Sequence, residues 1–113
     1  PVALNLSSYG QATSPVEFEV LERLTDSGTK VFVSAGNDSR DLTRNCNIFP
    51  ACYPITKNFF VVGATDGTGE RAWYSNSGGP VKYYRRGDYY AGKKFYRGAS
   101  FATPTMLNEE MKK

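Results

Sequence analysis

Gly98-Ala99-Ser100-Phe101-Ala102-Thr103-Pro104 sets a serine among small residues, just ahead of a segment compatible with a helix over residues 101–113 that has Pro104 in its first turn. Free backbone N–H groups and the dipole at a helix start favour a developing negative charge, so Ser100 is a candidate nucleophile for acyl transfer. The plainer reading of a Gly-x-Ser at such a place is an N-cap without chemistry. Other segments must decide, because a serine hydroxyl is a poor nucleophile near neutral pH unless a base is positioned beside it. The 113 residues contain no histidine. Lys93 and Lys94 precede Ser100 closely, but nothing in the sequence marks the burial that lowers a lysine pKa.

Cys46 and Cys52 lie six positions apart in a proline-containing loop. A turn brings such a pair to disulfide distance, and the alternative is two reduced thiols. No additional Cys or His offers metal-ligand spacing, which leaves the disulfide as the expectation, and with it an extracytoplasmic or secreted origin. From residue 81 to 98, Lys82, Arg85, Arg86, Lys93, Lys94 and Arg97 stand against the single acid Asp88, interleaved with Tyr83, Tyr84, Tyr89, Tyr90, Phe95 and Tyr96. Cationic and stacking side chains in alternation suit a polyanion, but a half-buried strand pair shows the same pattern and is the expectation here; nucleic acid is not an expected partner.

The elements that must position these residues follow from the apolar pattern. Val2-Ala3-Leu4-Asn5-Leu6 reads as a buried strand opening into the loop Ser7-Ser8-Tyr9-Gly10. Ser14-Pro15-Val16-Glu17 combines an N-cap serine, a proline at the first helical position and a glutamate at N3, a capping box that starts a helix. Val16, Val20 and Leu24, with Leu21 beside them, predict its inward face, and Gly28 ends it. Lys30-Val31-Phe32-Val33-Ser34-Ala35 and Phe59-Phe60-Val61-Val62-Gly63-Ala64 read as two more buried strands, the second ended by Asp66-Gly67-Thr68-Gly69. Strand, helix and strand in succession form a right-handed βαβ unit, so the class is α/β with a mostly parallel sheet.

With 40% hydrophobic and 22% charged residues, the chain is expected to fold as a single domain over residues 1–113. No run approaches the roughly 20 apolar residues of a membrane span, and no signal-like segment opens the chain, so no membrane partner is expected. Starting at Pro1 rather than Met, the sequence reads as a processed or excised piece.

Five ordered segments resemble the subtilisin-like serine proteases. Residues 98–104 resemble the Gly-Thr-Ser-x-Ala-Thr-Pro signature around that family's nucleophile, with Ala99 replacing its threonine. Ser34-Ala35-Gly36-Asn37 resembles the Ala-Ala-Gly-Asn segment whose asparagine supplies an oxyanion donor. Asn5-Leu6-Ser7 with Gly10 is similar to the strand and loop edging the primary specificity pocket. Phe49-Pro50-Ala51-Cys52-Tyr53-Pro54 resembles Tyr-Pro-Ala-x-Tyr-Pro, and Val62-Gly63-Ala64-Thr65-Asp66 with Tyr74-Ser75-Asn76-Ser77-Gly78 resembles Val-Gly-Ala-x-Asp and Phe-Ser-Asn-x-Gly.

The resemblance implies a partial subtilisin-like fold, a three-layer α/β sandwich, corresponding to the later half of the catalytic domain. It implies Ser100 as nucleophile and Asn37 as oxyanion donor. Ser7, Ser8, Tyr9, Gly10, Ala35, Gly36 and Tyr74 are then expected to border a peptide or protein substrate. The family's catalytic aspartate and histidine lie in the earlier part, so a complementary N-terminal segment or chain is the expected partner. No cofactor is required; a structural calcium ion at Asp66, where some relatives bind one, is the expected accessory, with capping of a turn as the alternative. The departures are the polar stretch after Pro104 and Arg85-Arg86-Gly87 where many relatives have Ala-Pro-Gly. A remnant that binds peptide or polyanion without catalysis is the competing expectation.

Overall fold

The computed structural model describes residues 3–7, 9–91 and 94–97, the last four together with residues 88–91 as backbone only. Ser8, Ser100 and the expected helix over 101–113 lie outside the described residues.

Four parallel strands run in the order β1 (Ala3–Leu6), β2 (Lys30–Ser34), β3 (Phe59–Thr65), β4 (Tyr83–Arg86). The three expected strands therefore form a parallel α/β sheet. Ala3 pairs with Lys30, Val31 with Phe59 and Val62 with Tyr83, so sequential strands lie side by side. The alternation of a strand sorts the apolar residues onto two faces. Val31, Val33, Phe59 and Val61 join Leu21, Ile48 and Tyr53 on one face; Phe32, Val62 and Ala64 join Ala72 and Tyr74 on the other. Phe32 stacks on Phe60 with ring centroids 4.9 Å apart.

Helix α1 (Pro15–Asp26) covers the first face and is the crossover between β1 and β2. Its N-cap forms as expected on the serine side, where Ser14 Oγ accepts from the Glu17 N–H at 3.2 Å. The reciprocal half of the capping box does not form. Glu17 Oε1 accepts instead from the Tyr53 hydroxyl at 2.8 Å, and that hydroxyl takes the Ser14 N–H at 3.0 Å. The expected inward stripe is also corrected: Val16 and Val20 are 71% and 50% exposed, whereas Leu21 and Thr25 are 3% and 0%. The helix is rotated so that Phe18, Leu21 and Thr25 face the sheet, a stripe that also has helical spacing.

The basic, aromatic stretch contains three strands among the described residues. Tyr83–Arg86 extends the sheet as β4, and β5 (Asp88–Ala91) pairs antiparallel with β6 (Lys94–Arg97) in a separate hairpin. Cys46 and Cys52 form the expected disulfide, with their Cα atoms 5.6 Å apart. Among the described residues no helix is long and apolar enough to cross a membrane.

Candidate active-site crevice

The residues to be placed lie in the loops that leave the carboxyl ends of the parallel strands. Here the loops at residues 7–10 and 35–40 leave β1 and β2 side by side, and the first is pinned to the disulfide-bearing loop. The Gly10 N–H donates to the Phe49 carbonyl at 3.0 Å and the Phe49 N–H to the Gly10 carbonyl at 2.7 Å. Ser7 Oγ accepts from Asn5 Nδ2 at 3.0 Å. Asn5 Oδ1 is buried without a hydrogen-bond partner among the described residues.

Asn37 sits half-buried on the second loop. The chain reaches it through Gly36, whose φ of 95° is the left-handed conformation that glycine adopts without a Cβ clash. A Cβ there would also stand 2.6 Å from Asn76 Nδ2 and 3.2 Å from the Tyr9 ring. Ser34 Oγ accepts from the Gly36 N–H at 3.1 Å, and the Ala35 N–H donates to the Val62 carbonyl at 2.9 Å. The Asn37 N–H donates to the Tyr9 hydroxyl at 3.0 Å.

Asn76, fully buried, is the organiser of this loop. Its Nδ2 donates to the Ala35 carbonyl at 2.7 Å, and its Oδ1 accepts from the Asp38 and Arg40 N–H groups at 3.1 and 2.8 Å. Its own N–H donates to the Gly36 carbonyl at 3.0 Å. The backbone on both sides of Asn37 is therefore tied to one buried amide. Ser75 anchors that amide to the sheet, since its Oγ accepts from the Ala64 N–H and donates to the Asn76 carbonyl, both at 2.9 Å. Buried polar groups are retained at low cost only when satisfied in this way. The Ser-Asn pair stood in the sequence as part of a motif, but its positioning role was not legible there.

The structure thus brings Tyr9 against Gly36 and Asn37, with Gly10 and Ala35 next to them in the chain, while Ser7 lies at the end of β1 bonded to Asn5. Ser8 and Ser100 lie outside the described residues. The Tyr74 carbonyl accepts from the Ser39 N–H at 3.0 Å. Its ring is packed with Phe32, Val62 and Ala72 in the second core cluster, 6% exposed.

Asp66 acts as a turn cap. Its Oδ1 accepts from Thr68 Oγ1 at 2.6 Å, the Thr68 N–H at 2.8 Å and the Glu70 N–H at 3.3 Å. The Thr68 hydroxyl first, then these backbone donors, hold the carboxyl below its ordinary range. Among the described residues no three His, Cys, Asp or Glu side chains converge as metal ligands.

Among solved structures, the chain is similar to a cold-adapted subtilisin-like serine proteinase, with 27% identity and a TM-score of 0.73. The match covers 95% of this chain and 41% of that one, so the chain spans well under half of that protein's length. No protein-family model matches the sequence, and no curated protein matches it. The fold is α/β and subtilisin-like.

Proposed function

We propose that this chain is the nucleophile-bearing part of a subtilisin-like serine endopeptidase, which hydrolyses peptide bonds through an acyl-enzyme on Ser100. Histidine and aspartate come from a complementary N-terminal segment or chain, because the 113 residues contain no histidine. The observation that carries the reading is Asn37, whose loop is held at the strand ends by Asn76 and Tyr9 in a fold like that of a subtilisin-like proteinase.

In this reading the Asn37 side-chain amide and the Ser100 N–H donate to the oxyanion of the tetrahedral intermediate, where pre-placed donors lower the barrier most. Ser100 Oγ adds to the scissile carbonyl and its proton passes to the partner's histidine and on to the leaving amine. Water then releases the acyl group by the same route. Among the described residues β1 is the edge of the parallel sheet, which supports a further strand docking there through its backbone. No cofactor is needed, and a calcium ion at Asp66 would have to compete with the donors already on that carboxylate. The disulfide supports a secreted or extracytoplasmic setting.

The absence of histidine also favours a second reading, an inactive peptide-binding remnant. Fluorophosphonate treatment of the protein purified from its source, with Ser100→Ala as control and peptide mass mapping, separates the two. Labelling confined to Ser100 requires an activating base and supports the peptidase. A folded protein that takes no label at Ser100 leaves the remnant.

A further inference from the structure

Charge is unevenly placed along this chain. Lys82, Arg85, Arg86, Lys93, Lys94 and Arg97 have Asp88 as the only acid among them, while the rest of the sequence holds more acids than bases. Lys82, just ahead of β4, and Arg86, at its end, are exposed, and Tyr83 is 36% exposed. Gly87 alone separates β4 from β5, which forms with β6 a two-stranded ribbon in a sheet of its own. The register sets Asp88 opposite Arg97, Tyr89 opposite Tyr96, Tyr90 opposite Phe95 and Ala91 opposite Lys94. Opposite residues share a face, and successive pairs alternate between faces. One face therefore has Tyr90, Phe95 and Arg97 with Asp88, and the other has Tyr89, Tyr96 and Lys94 with Ala91. A strand pair half-buried against a core gathers its apolar residues on one face. This ribbon divides its aromatic pairs between both, so whichever face meets the body of the protein, the other keeps an aromatic pair beside a cation.

We propose that β4 and the β5–β6 ribbon form a binding surface for an acidic polysaccharide, on elements distinct from the loop that carries Asn37. Lysine and arginine pair with the carboxylates of such a polymer, and aromatic rings stack on the apolar faces of its sugar rings. Cations alone draw any polyanion; the paired aromatics restrict the ligand to one with flat faces to stack. The bases of single-stranded nucleic acid also stack. The Cys46–Cys52 disulfide favours the sugar polymer, because disulfides persist in extracytoplasmic settings. Each exposed charge contact is weak and screened by salt, so affinity comes from the repetition of charge along the polymer. Binding there holds the protein on an anionic matrix, whether or not Ser100 reacts.

The test is isothermal titration of the 113-residue chain with polygalacturonate, polyglutamate and oligothymidylate at matched concentrations of charge. Wild type is expected to bind polygalacturonate at least about fivefold more tightly than polyglutamate, whose carboxylates come without rings to stack on, and to lose affinity as salt is added. Lys94→Gln/Arg97→Gln is expected to weaken binding about fivefold to tenfold, the worth of two exposed charge contacts. Arg44→Gln/Lys57→Gln removes as much charge from exposed positions elsewhere and is expected to bind like wild type. Equal losses in the two variants would reduce the effect to net charge, and equal binding of polyglutamate would remove the aromatic part; either overturns the inference. Tighter binding of oligothymidylate assigns the ribbon to nucleic acid and overturns it as well, as does a folded wild type that binds no polygalacturonate. Should Lys94→Gln/Arg97→Gln not fold by circular dichroism, Lys82→Gln/Arg86→Gln takes its place with the same expected loss.

Discussion

Asn76 donates from Nδ2 to the Ala35 carbonyl at 2.7 Å, joining residues 41 positions apart in sequence at the base of the loop that carries Asn37. The same side chain takes the Asp38 and Arg40 N–H groups through Oδ1, so one buried amide satisfies the backbone on either side of Asn37. The loop around Asn37 is held by this long-range connection as well as by its local turn at Gly36.

Asn76→Ala is therefore expected to destabilise the protein by about 2–4 kcal/mol, from an orphaned buried carbonyl plus a small cavity. Urea unfolding measures the loss. Hydrogen exchange at the Asp38 and Arg40 amides is expected to accelerate beyond what the global destabilisation accounts for. Equal acceleration throughout the sheet would mean that Asn76 supports the core rather than this loop.

Gly36→Ala and Gly28→Ala separate backbone conformation from contact. Both glycines have positive φ, 95° and 100°, but a Cβ on Gly28 meets nothing within 4 Å while one on Gly36 meets Asn76 and Tyr9. Gly28→Ala is expected to cost about 1 kcal/mol for the left-handed conformation. Gly36→Ala adds the clash, so its urea midpoint is expected to fall clearly below that of Gly28→Ala. Equal midpoints would show that Asn76 and Tyr9 yield without cost.

The parallel sheet was legible because β2 and β3 are apolar on both faces and read as unbroken runs. The inward face of α1 was not. Two stripes with helical spacing compete there, and the one that wins includes Thr25, a polar residue that hydropathy assigns to the surface. Thr25 is fully buried because its Oγ1 bonds back to the Leu21 carbonyl at 3.0 Å, which removes most of the cost of desolvating it. Strand structure at Tyr83, Tyr84, Arg85 and Arg86 was expected from the alternation of aromatic and basic residues, but not that this strand joins the parallel sheet beside β3, a long-range pairing that no local pattern marks. Asn37 was singled out by resemblance alone. Asn76 and Tyr9 were not legible as its supports, since the partners of each lie 28 or more residues away.

Reducing the Cys46–Cys52 disulfide is expected to destabilise the chain by roughly 2 kcal/mol, the loop-closure entropy of so short a ring. The loop it closes carries Phe49, whose backbone bonds Gly10 in both directions. Reduction is therefore expected to speed hydrogen exchange at the Phe49 and Gly10 amides before it affects Val31 or Val61 in the sheet. Uniform exchange after reduction would show that the loop and the crevice edge are not coupled.

Tyr53 makes stability fall in alkali. Desolvation first, and then the Glu17 carboxylate that accepts its proton, raise its pKa above the ordinary value of 10.0, while the Ser14 N–H opposes the shift. The folded state therefore holds this proton more tightly than the unfolded chain. The resulting stabilisation is complete below the unfolded pKa of about 10 and is lost as pH rises through the higher folded value. Urea midpoints of wild type are expected to drop between pH 9 and pH 11, a window of about one unit either side of an unperturbed tyrosine. Tyr53→Phe cannot titrate and is expected to start less stable, because the Ser14 N–H and Glu17 lose their partner. Its own decline over the same window is expected to be smaller, so the two curves converge. Parallel curves would place the alkaline loss in other groups and remove Tyr53 as its source.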